Sequence, residues 1–543
     1  MQSDCTYLPY RSTGYFSALV ADYISGADEL KPLYDFAAAI DGVKAAVAAR
    51  KQFVTNRSLL ADVFKEQYRN IQLTQKQQAY IRLLSNNNTF TVCTAHQPNI
   101  FTGYLYFIYK IVHAIKLAEI LTNEIADCEF VPVYYMGSED ADLEELGHIY
   151  LDGKKYEWKT DQQGAVGRMK VDKALVQLIH EFSGQLLVHP YGKQIVDLMN
   201  RCYKEGVTIQ QATFELVNEL FATYGLLILL PDNRLLKNEF APVIKKELLE
   251  QFSHTAVAET VAAFPAKYKI QAAGRELNMF YLEDDSRERI EMVNDSTSLA
   301  QHKQWSIVNG EKVFEEQQIL NELKEFPERF SPNVILRPVF QETILPNVAF
   351  IGGGGEIAYW LELKKVFEAV GVPYPVLVVR NSFLLVDEKS RALIQKLNLT
   401  AAELFTPEFE MMNELVKRQS NNQLSLEAEK AAIKQLYTKL GAVAGKVDGT
   451  LQKHTEALLN KALDKIDALE KKIVRAEKLK FEAQQRQLHK LKEQLFPHKN
   501  LQERVENFML LYAKSGSAFI ETIYTHSLAL EQAFAVVNTE IVA

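Results

Sequence analysis

This chain has little cysteine, and what it has is scattered: Cys5, Cys93, Cys128 and Cys202 show no CxxC step and no zinc-ligand spacing. A disulfide-stapled or zinc-organised fold is therefore not indicated, and a reducing, cytoplasmic home is the simplest expectation. The histidines form no metal-spaced cluster, so no metal site is inferred. No apolar run approaches the roughly 20 residues of a membrane span. The opening MQSDCTYLPYRSTG lacks the apolar stretch of a signal peptide. An excess of positive charge is missing too: the formal net charge of −8 argues against a general nucleic-acid binder. Neither a GxSxG elbow nor a Walker A sequence is present, and no repeat or extended low-complexity segment stands out. What remains is the composition of a soluble globular protein, 47% hydrophobic and 24% charged over 543 residues. That length suggests about two to four domains with ample chain for a large core.

The pattern along the chain alternates. Residues 1 to about 85 read as amphipathic helices punctuated by Pro9 and Pro32. TFTVCTA (89–95) reads as a buried strand, HQPNIFTG (96–103) as a loop and YLYFIYKIVHAIKLAEIL (104–121) as a helix. Further strands are expected at 129–137, 226–231, 348–351 and 375–380. Strands separated by helices and bounded by Gly or Pro imply an α/β fold with a parallel sheet. The long gaps between the later strands imply insertions at about 150–220 and 260–335, the second with strands of its own in LNMFYLED and ERIEMV. From about 425 to 495 proline almost disappears and Lys, Glu, Leu, Ala and Gln dominate. Leu459, Ala462, Ile466, Leu469, Ile473 and Ala476 step by three and four, a heptad seam whose phase slips before Phe481. A coiled-coil hairpin is predicted there, bending near the glycines at 441–449. The predicted organisation is a core over 1–400, a helical coiled-coil domain over 401–500, and a segment, 501–543, that returns to the core.

Chemistry is expected at the carboxyl ends of the strands, where open parallel sheets bind ligands. Three loops leave that edge. The first, Thr94 to Gly103, offers Thr94, His96, Gln97, Asn99, Thr102 and Gly103, with Lys110 about two turns into the next helix, donors suited to a phosphate or nucleotide. They could equally satisfy the loop backbone. The second packs Glu139, Asp140, Asp142, Glu144 and Glu145 together. Glu139 and Asp140 are candidate catalytic carboxylates, a base for an attacking amine or a group that orients an ammonium; Glu144 and Glu145 are explained as acids at a helix N-terminus. The third is Gly352, Gly353, Gly354 and Gly355, followed by Glu356, where bare backbone running into a helix can hold an anion or simply allow tight packing. Arg337 and Arg380 are candidate carboxylate forks or structural ion-pair partners.

TVCTAHQPNIFTGYLYFIYKIVHAIKLAE, PVYYMGSEDADLEEL, the segment from Leu336 to Ser382 and LQERVENFMLLYAKSG together resemble the bacillithiol-biosynthesis cysteine-adding family, BshC, essentially end to end. The resemblance implies a Rossmann-like core with connecting-peptide insertions, similar to class I aminoacyl-tRNA synthetases, and a coiled coil supporting a homodimer. It implies amide formation between cysteine and glucosaminyl-malate, the last step of bacillithiol synthesis, with ATP or another nucleotide as the expected activating co-substrate. No membrane or nucleic-acid partner is expected. This chain departs from the family pattern at Ala95-His96-Gln97-Pro98, at Ala141 where the family carries a histidine, and in its four consecutive glycines. The Lys-Met-Ser-Lys-Ser type loop of class I synthetases is not evident. Two other readings stay open: an adenylating or nucleotidyl-transferring enzyme for another amino acid, and a non-catalytic nucleotide-binding coiled-coil dimer.

Overall fold

The computed structural model describes residues 4–539 except 273, 295–302 and 421. The chain divides into two compact units, one of residues 1–387 with 500–543 and the other of 388–499.

The first unit is organised by a five-stranded sheet. Its strands and helices, in chain order, are β1 (Thr89–His96), α1 (Tyr106–Glu124), β2 (Glu129–Met136), β3 (Leu227–Leu229), α2 (Arg337–Ile344), β4 (Asn347–Gly352), α3 (Gly354–Trp360) and β5 (Val376–Val379). The spatial order is β3-β2-β1-β4-β5 and every pairing is parallel, the 3-2-1-4-5 order of a Rossmann fold. Strand positions predicted from the apolar runs agree with those observed, because a parallel strand covered on both faces is apolar at nearly every position. Phe90, Val92, Phe130, Val348, Ile351, Val376 and Val378 meet Ala114, Leu117 and Leu121 of α1 in one buried cluster.

Two long segments interrupt the sheet, one after β2 and one after β3. The first holds the hairpin His148–Leu151 with Lys154–Glu157 and the helices Lys173–Leu187, Gly192–Cys202 and Ile209–Phe221. The second contains the strands Met279–Leu282 and Arg287–Asn294 as read from sequence, within an antiparallel sheet completed by Lys303–Ile307, Val313–Glu315 and Phe330–Pro332.

The start of the chain differs from expectation. Asp4–Leu8 is a strand, antiparallel to Phe534–Asn538, which in turn runs parallel to Ser382–Val386. Its partner lies at the far end of the sequence, so helical periodicity in residues 1–85 could not reveal it. Among the described residues no helix is long and apolar enough to cross a membrane.

The second unit contains the helices Glu427–Val447 and Gly449–Lys478, a tight turn at Leu479–Phe481, and the helix Glu482–Leu495. The break between the first two is at Asp448, whose carboxylate accepts from the Thr450 N–H at 2.7 Å as an N-cap. Gly441 and Gly445 do not bend the chain. They face the opposing helix, where an added Cβ would sit 3.8 Å from the Thr455 side chain and 3.3 Å from that of Gln452. The seam is also shifted from the predicted one: Leu459, Ala462, Ile466 and Ile473 are half-buried, whereas Leu469 and Ala476 are exposed.

Candidate active site

In the 3-2-1-4-5 order the chain runs outward from β1 through β2 and β3, then crosses to β4 on the other side of β1. Helices leaving β1 and β4 therefore diverge, and a crevice opens at the carboxyl ends of these two strands. A cavity of about 490 Å³ lies there. Of the residues singled out from sequence, His96, Gln97, Arg337, Gly353, Gly354, Gly355, Glu356 and Arg380 line it.

The others do not reach it, each for a local reason. Thr94 donates its hydroxyl to the Ile351 carbonyl at 2.9 Å and so ties β1 to β4. Asn99, Thr102 and Gly103 build the loop. Phe101, Thr102 and Gly103 all have positive φ (51°, 68° and 65°), and the Gly103 Cα lies so close to Asn99 that an added Cβ would stand 2.8 Å from its Cβ. This strained path is held by the Phe101 N–H donating to the Tyr203 hydroxyl at 2.9 Å and by the Asn507 amide donating to the Phe101 carbonyl at 2.9 Å. Gly352 belongs to β4, and its carbonyl accepts from the Arg380 N–H at 2.8 Å.

Lys110 is buried, and its ammonium is committed to the Ala95 carbonyl and, at 2.7 Å, to the Glu356 carboxylate. The same Glu356 oxygen accepts from the Gly353 N–H at 2.8 Å. Glu356 thus fastens α1 to the start of α3, and the anion expected at this helix start is supplied by the protein itself. Glu139 is turned into the interior, where it pairs with the buried Lys237 and accepts from the Ser331 hydroxyl at 3.2 Å. A carboxylate neutralised there is a structural group rather than a base facing the cavity.

Electrostatics separate the cavity residues further. Arg380 is buried; its Nη2 pairs with the fully buried Glu503 at 2.7 Å, and its Nη1 donates to the Asn381 carbonyl and the Ser382 hydroxyl, both at 3.0 Å. Its predicted role as a carboxylate fork gives way to that of an ion-pair partner. Arg337 faces Asp140 across a longer gap of 3.6 Å. Burial pushes the Asp140 carboxyl up, but Arg337, Arg287, the Gln97 amide and the Asp142 N–H together hold it below the usual aspartate range.

Glu145 lines the same cavity and behaves oppositely: partial burial, reinforced by Asp140 and Asp142, raises its carboxyl despite Arg337. His96 is held well below its ordinary range by burial and by Lys110, Arg337 and Arg380. Its imidazole is therefore neutral; the rings of Tyr106 and Phe107 pack against it at 5.4 and 5.5 Å, and its Nε2 has no hydrogen-bond partner.

Glu145, Tyr106, Tyr135, Tyr359 and Arg504 also line the cavity and were not singled out from sequence. Glu145 was accounted for by the helix dipole. Tyr135 is concealed in the apolar pattern of β2. Arg504 belongs to the LQERVENF segment, remote in sequence from every other wall, and nothing local marks it.

Comparison with known proteins gives a consistent result. Residues 1–381 match the family model described as "Bacillithiol biosynthesis BshC, N-terminal Rossmann-like domain", and residues 383–539 match "Bacillithiol biosynthesis BshC, C-terminal coiled-coil domain". A protein of Flavobacterium psychrophilum named "Putative cysteine ligase BshC" is 38% identical over 99% of this chain and 100% of its own length. Proteins of the same name from Flavobacterium johnsoniae and Cytophaga hutchinsonii are 37% and 35% identical, over 99% and 94% of this chain and 100% and 94% of theirs.

Proposed function

Because the chain belongs to the bacillithiol-biosynthesis BshC family, we propose that it is a cysteine ligase, joining the carboxyl carbon of cysteine to the amine of glucosaminyl-malate. The observation that carries this reading beyond kinship is a cavity-lining carboxyl, Glu145, raised above the usual glutamate range, coupled to Asp140, which contacts the cavity residues Gln97 and Arg337 and is held below the usual aspartate range. Amide formation needs both behaviours. The incoming amine starts as an ammonium and must lose a proton before it attacks. A carboxyl with a raised affinity for protons is suited to take that proton, and one that stays ionised is suited to orient the cation. Glu145 is therefore assigned as the base. Asp140 is a positioning residue that holds Arg337 and, through Gln97, the end of β1.

The cysteine carboxylate requires activation before an amine can displace one of its oxygens. A nucleoside triphosphate is the proposed co-substrate, the oxygen leaving with phosphate or with the nucleoside monophosphate.

The reaction is placed in the cytoplasm, consistent with Cys5, Cys93, Cys128 and Cys202 being free thiols. A homodimer is proposed through the coiled-coil unit: Leu436, Leu440, Val443 and Val447 step by four and three on the outer face of one helix and are 54%, 47%, 65% and 80% exposed.

The deciding experiment is thiol profiling of the source organism after deletion of the gene, then restoration with wild type or Glu145→Gln. Loss of bacillithiol with accumulation of glucosaminyl-malate, reversed only by wild type, is expected. Unchanged bacillithiol in the absence of a second gene copy would discard the reading in favour of an adenylating enzyme for another amino acid, to be tested by amino-acid-dependent pyrophosphate exchange.

A further inference from the structure

Most charged residues on the cavity wall are paired with a partner outside it. Arg380 pairs with Glu503, Glu356 with Lys110, and Arg337 with Asp140. Two cavity residues of opposite sign, Arg504 and Glu145, form no ion pair among the described residues. We infer that Arg504 is the specificity-determining residue of the site, recognising a carboxylate of the diacid half of an amino-sugar acceptor.

Its position is prepared rather than incidental. Arg504 ends a single tight turn, Gln502–Arg504, clamped on both sides. Gln502 exchanges hydrogen bonds with the Leu385 backbone, accepting from its N–H at 3.0 Å and donating to its carbonyl at 3.1 Å. Glu503 is fully buried and accepts from Arg380, Ser382 and the Phe383 N–H. Three residues on, Asn507 holds the strained loop after β1. The Arg504 guanidinium itself rests 5.5 Å from the centre of the Phe16 ring, a stacking contact that restricts a planar fork without consuming its donors.

The choice of ligand group follows from chemistry. A polyphosphate would meet Arg504 favourably but would be opposed by unpaired Glu145. An amino sugar carrying carboxylates satisfies both. The cysteine carboxylate is a poorer candidate, because its carbon reacts and one of its oxygens must leave, whereas the carboxylates of a malyl aglycone are spectators and can be held throughout. This inference deepens the ligase reading and rests on it for the identity of the acceptor.

The test is equilibrium calorimetry with three probes, glucosaminyl-malate, methyl glucosaminide (the amine without carboxylates) and ATP, on wild type, Arg504→Gln and Arg504→Lys, alongside steady-state turnover. Wild type is expected to bind the diacid sugar at least 10-fold more tightly than the methyl glycoside. Arg504→Gln should lose about 10- to 100-fold in affinity for the diacid alone, the range expected for a charge-assisted fork. Arg504→Lys should fall between, and ATP should change less than about twofold.

A wild type that does not discriminate the two sugars overturns the inference, as does an Arg504→Gln that keeps the discrimination. If ATP affinity falls instead, the residue is a phosphate contact and the assignment is wrong. Should Arg504→Gln lose its cooperative thermal transition, Arg504→Lys carries the comparison, and equality with wild type overturns the inference. Diacid discrimination that depends on Arg504 in a protein without turnover would leave the carboxylate assignment standing and remove the ligase reading.

Discussion

Asp140 and Glu145 leave the same strand five positions apart, yet their surroundings drive their acidities in opposite directions. If Glu145 takes the proton of the attacking amine, kcat/KM must fall as it protonates. Because its pKa is raised, that acid limb lies above the ordinary glutamate range, while Asp140, lowered, stays ionised throughout. Glu145→Gln is expected to cut kcat by about 10²- to 10⁴-fold and to abolish the limb. Asp140→Asn should keep the limb but move it to lower pH, because Asp140 helps raise Glu145, and should also act on KM by freeing Arg337. A pH–rate profile that loses its limb in Asp140→Asn instead would reverse the two roles.

His113 offers a test of folding at the same scale. Its Nε2 donates to the Ala529 carbonyl at 2.6 Å and its Nδ1 accepts from the Asn381 N–H at 3.1 Å, which fixes the neutral tautomer. Burial pushes it down to about 4. Between about pH 4 and the ordinary histidine value near 6.5 the unfolded chain binds a proton that the native state does not, so stability rises with pH across that window. Acidification through it should cost about 3 kcal/mol at this residue, read as a flatter pH dependence of denaturant stability in His113→Gln.

At the scale of the element, the four glycines before and within α3 are not equivalent. None of these four has positive φ, so backbone conformation does not demand them. Gly352 is required by packing: an added Cβ would stand 2.8 Å from Phe350 Cε1, and that ring is stacked on Trp360 at 4.3 Å and cannot yield. Gly352→Ala is expected to destabilise by about 1–3 kcal/mol. A Cβ on Gly355 meets nothing within 4 Å, and Gly355 lines the cavity. Gly355→Ala should therefore stabilise by about 0.5–1 kcal/mol while weakening substrate KM several-fold. Thermal melts and kinetics on the two variants separate a packing glycine from a ligand-facing one; activity unchanged in Gly355→Ala would remove α3 from the binding surface.

At the scale of the whole molecule, the coiled-coil unit carries two apolar stripes. One, including Ile433, Tyr437 and Ala444, is sheltered within the hairpin; the other, Leu436, Leu440, Val443 and Val447, is not. If a second copy covers the outer stripe, Leu440→Asp with Val447→Asp should convert a dimer to a monomer in sedimentation velocity at micromolar concentration without changing the thermal transition. A wild type that sediments as a monomer would reject the proposal. The hairpin also shows how far periodicity reads. Heptad spacing located the helices, but a pattern of threes and fours recurs on more than one face. Which stripe turns inward depends on the facing helix, so Leu469 and Ala476 were assigned to the wrong side.

The sequence by itself determined the α/β class, the five core strands, the loops at their carboxyl ends and the coiled coil. Each of these is written in neighbouring residues, as apolar runs, Gly and Pro boundaries and heptads, whose physics is local. Only the tertiary structure decided the 3-2-1-4-5 order that opens the crevice, the internal pairing that removes Glu139 and Lys110 from it, and the raised pKa of Glu145. It alone brought Arg504 to the cavity. Charge pairing, burial and desolvation are properties of groups that meet across hundreds of residues, and a side chain's chemistry changes with what it meets.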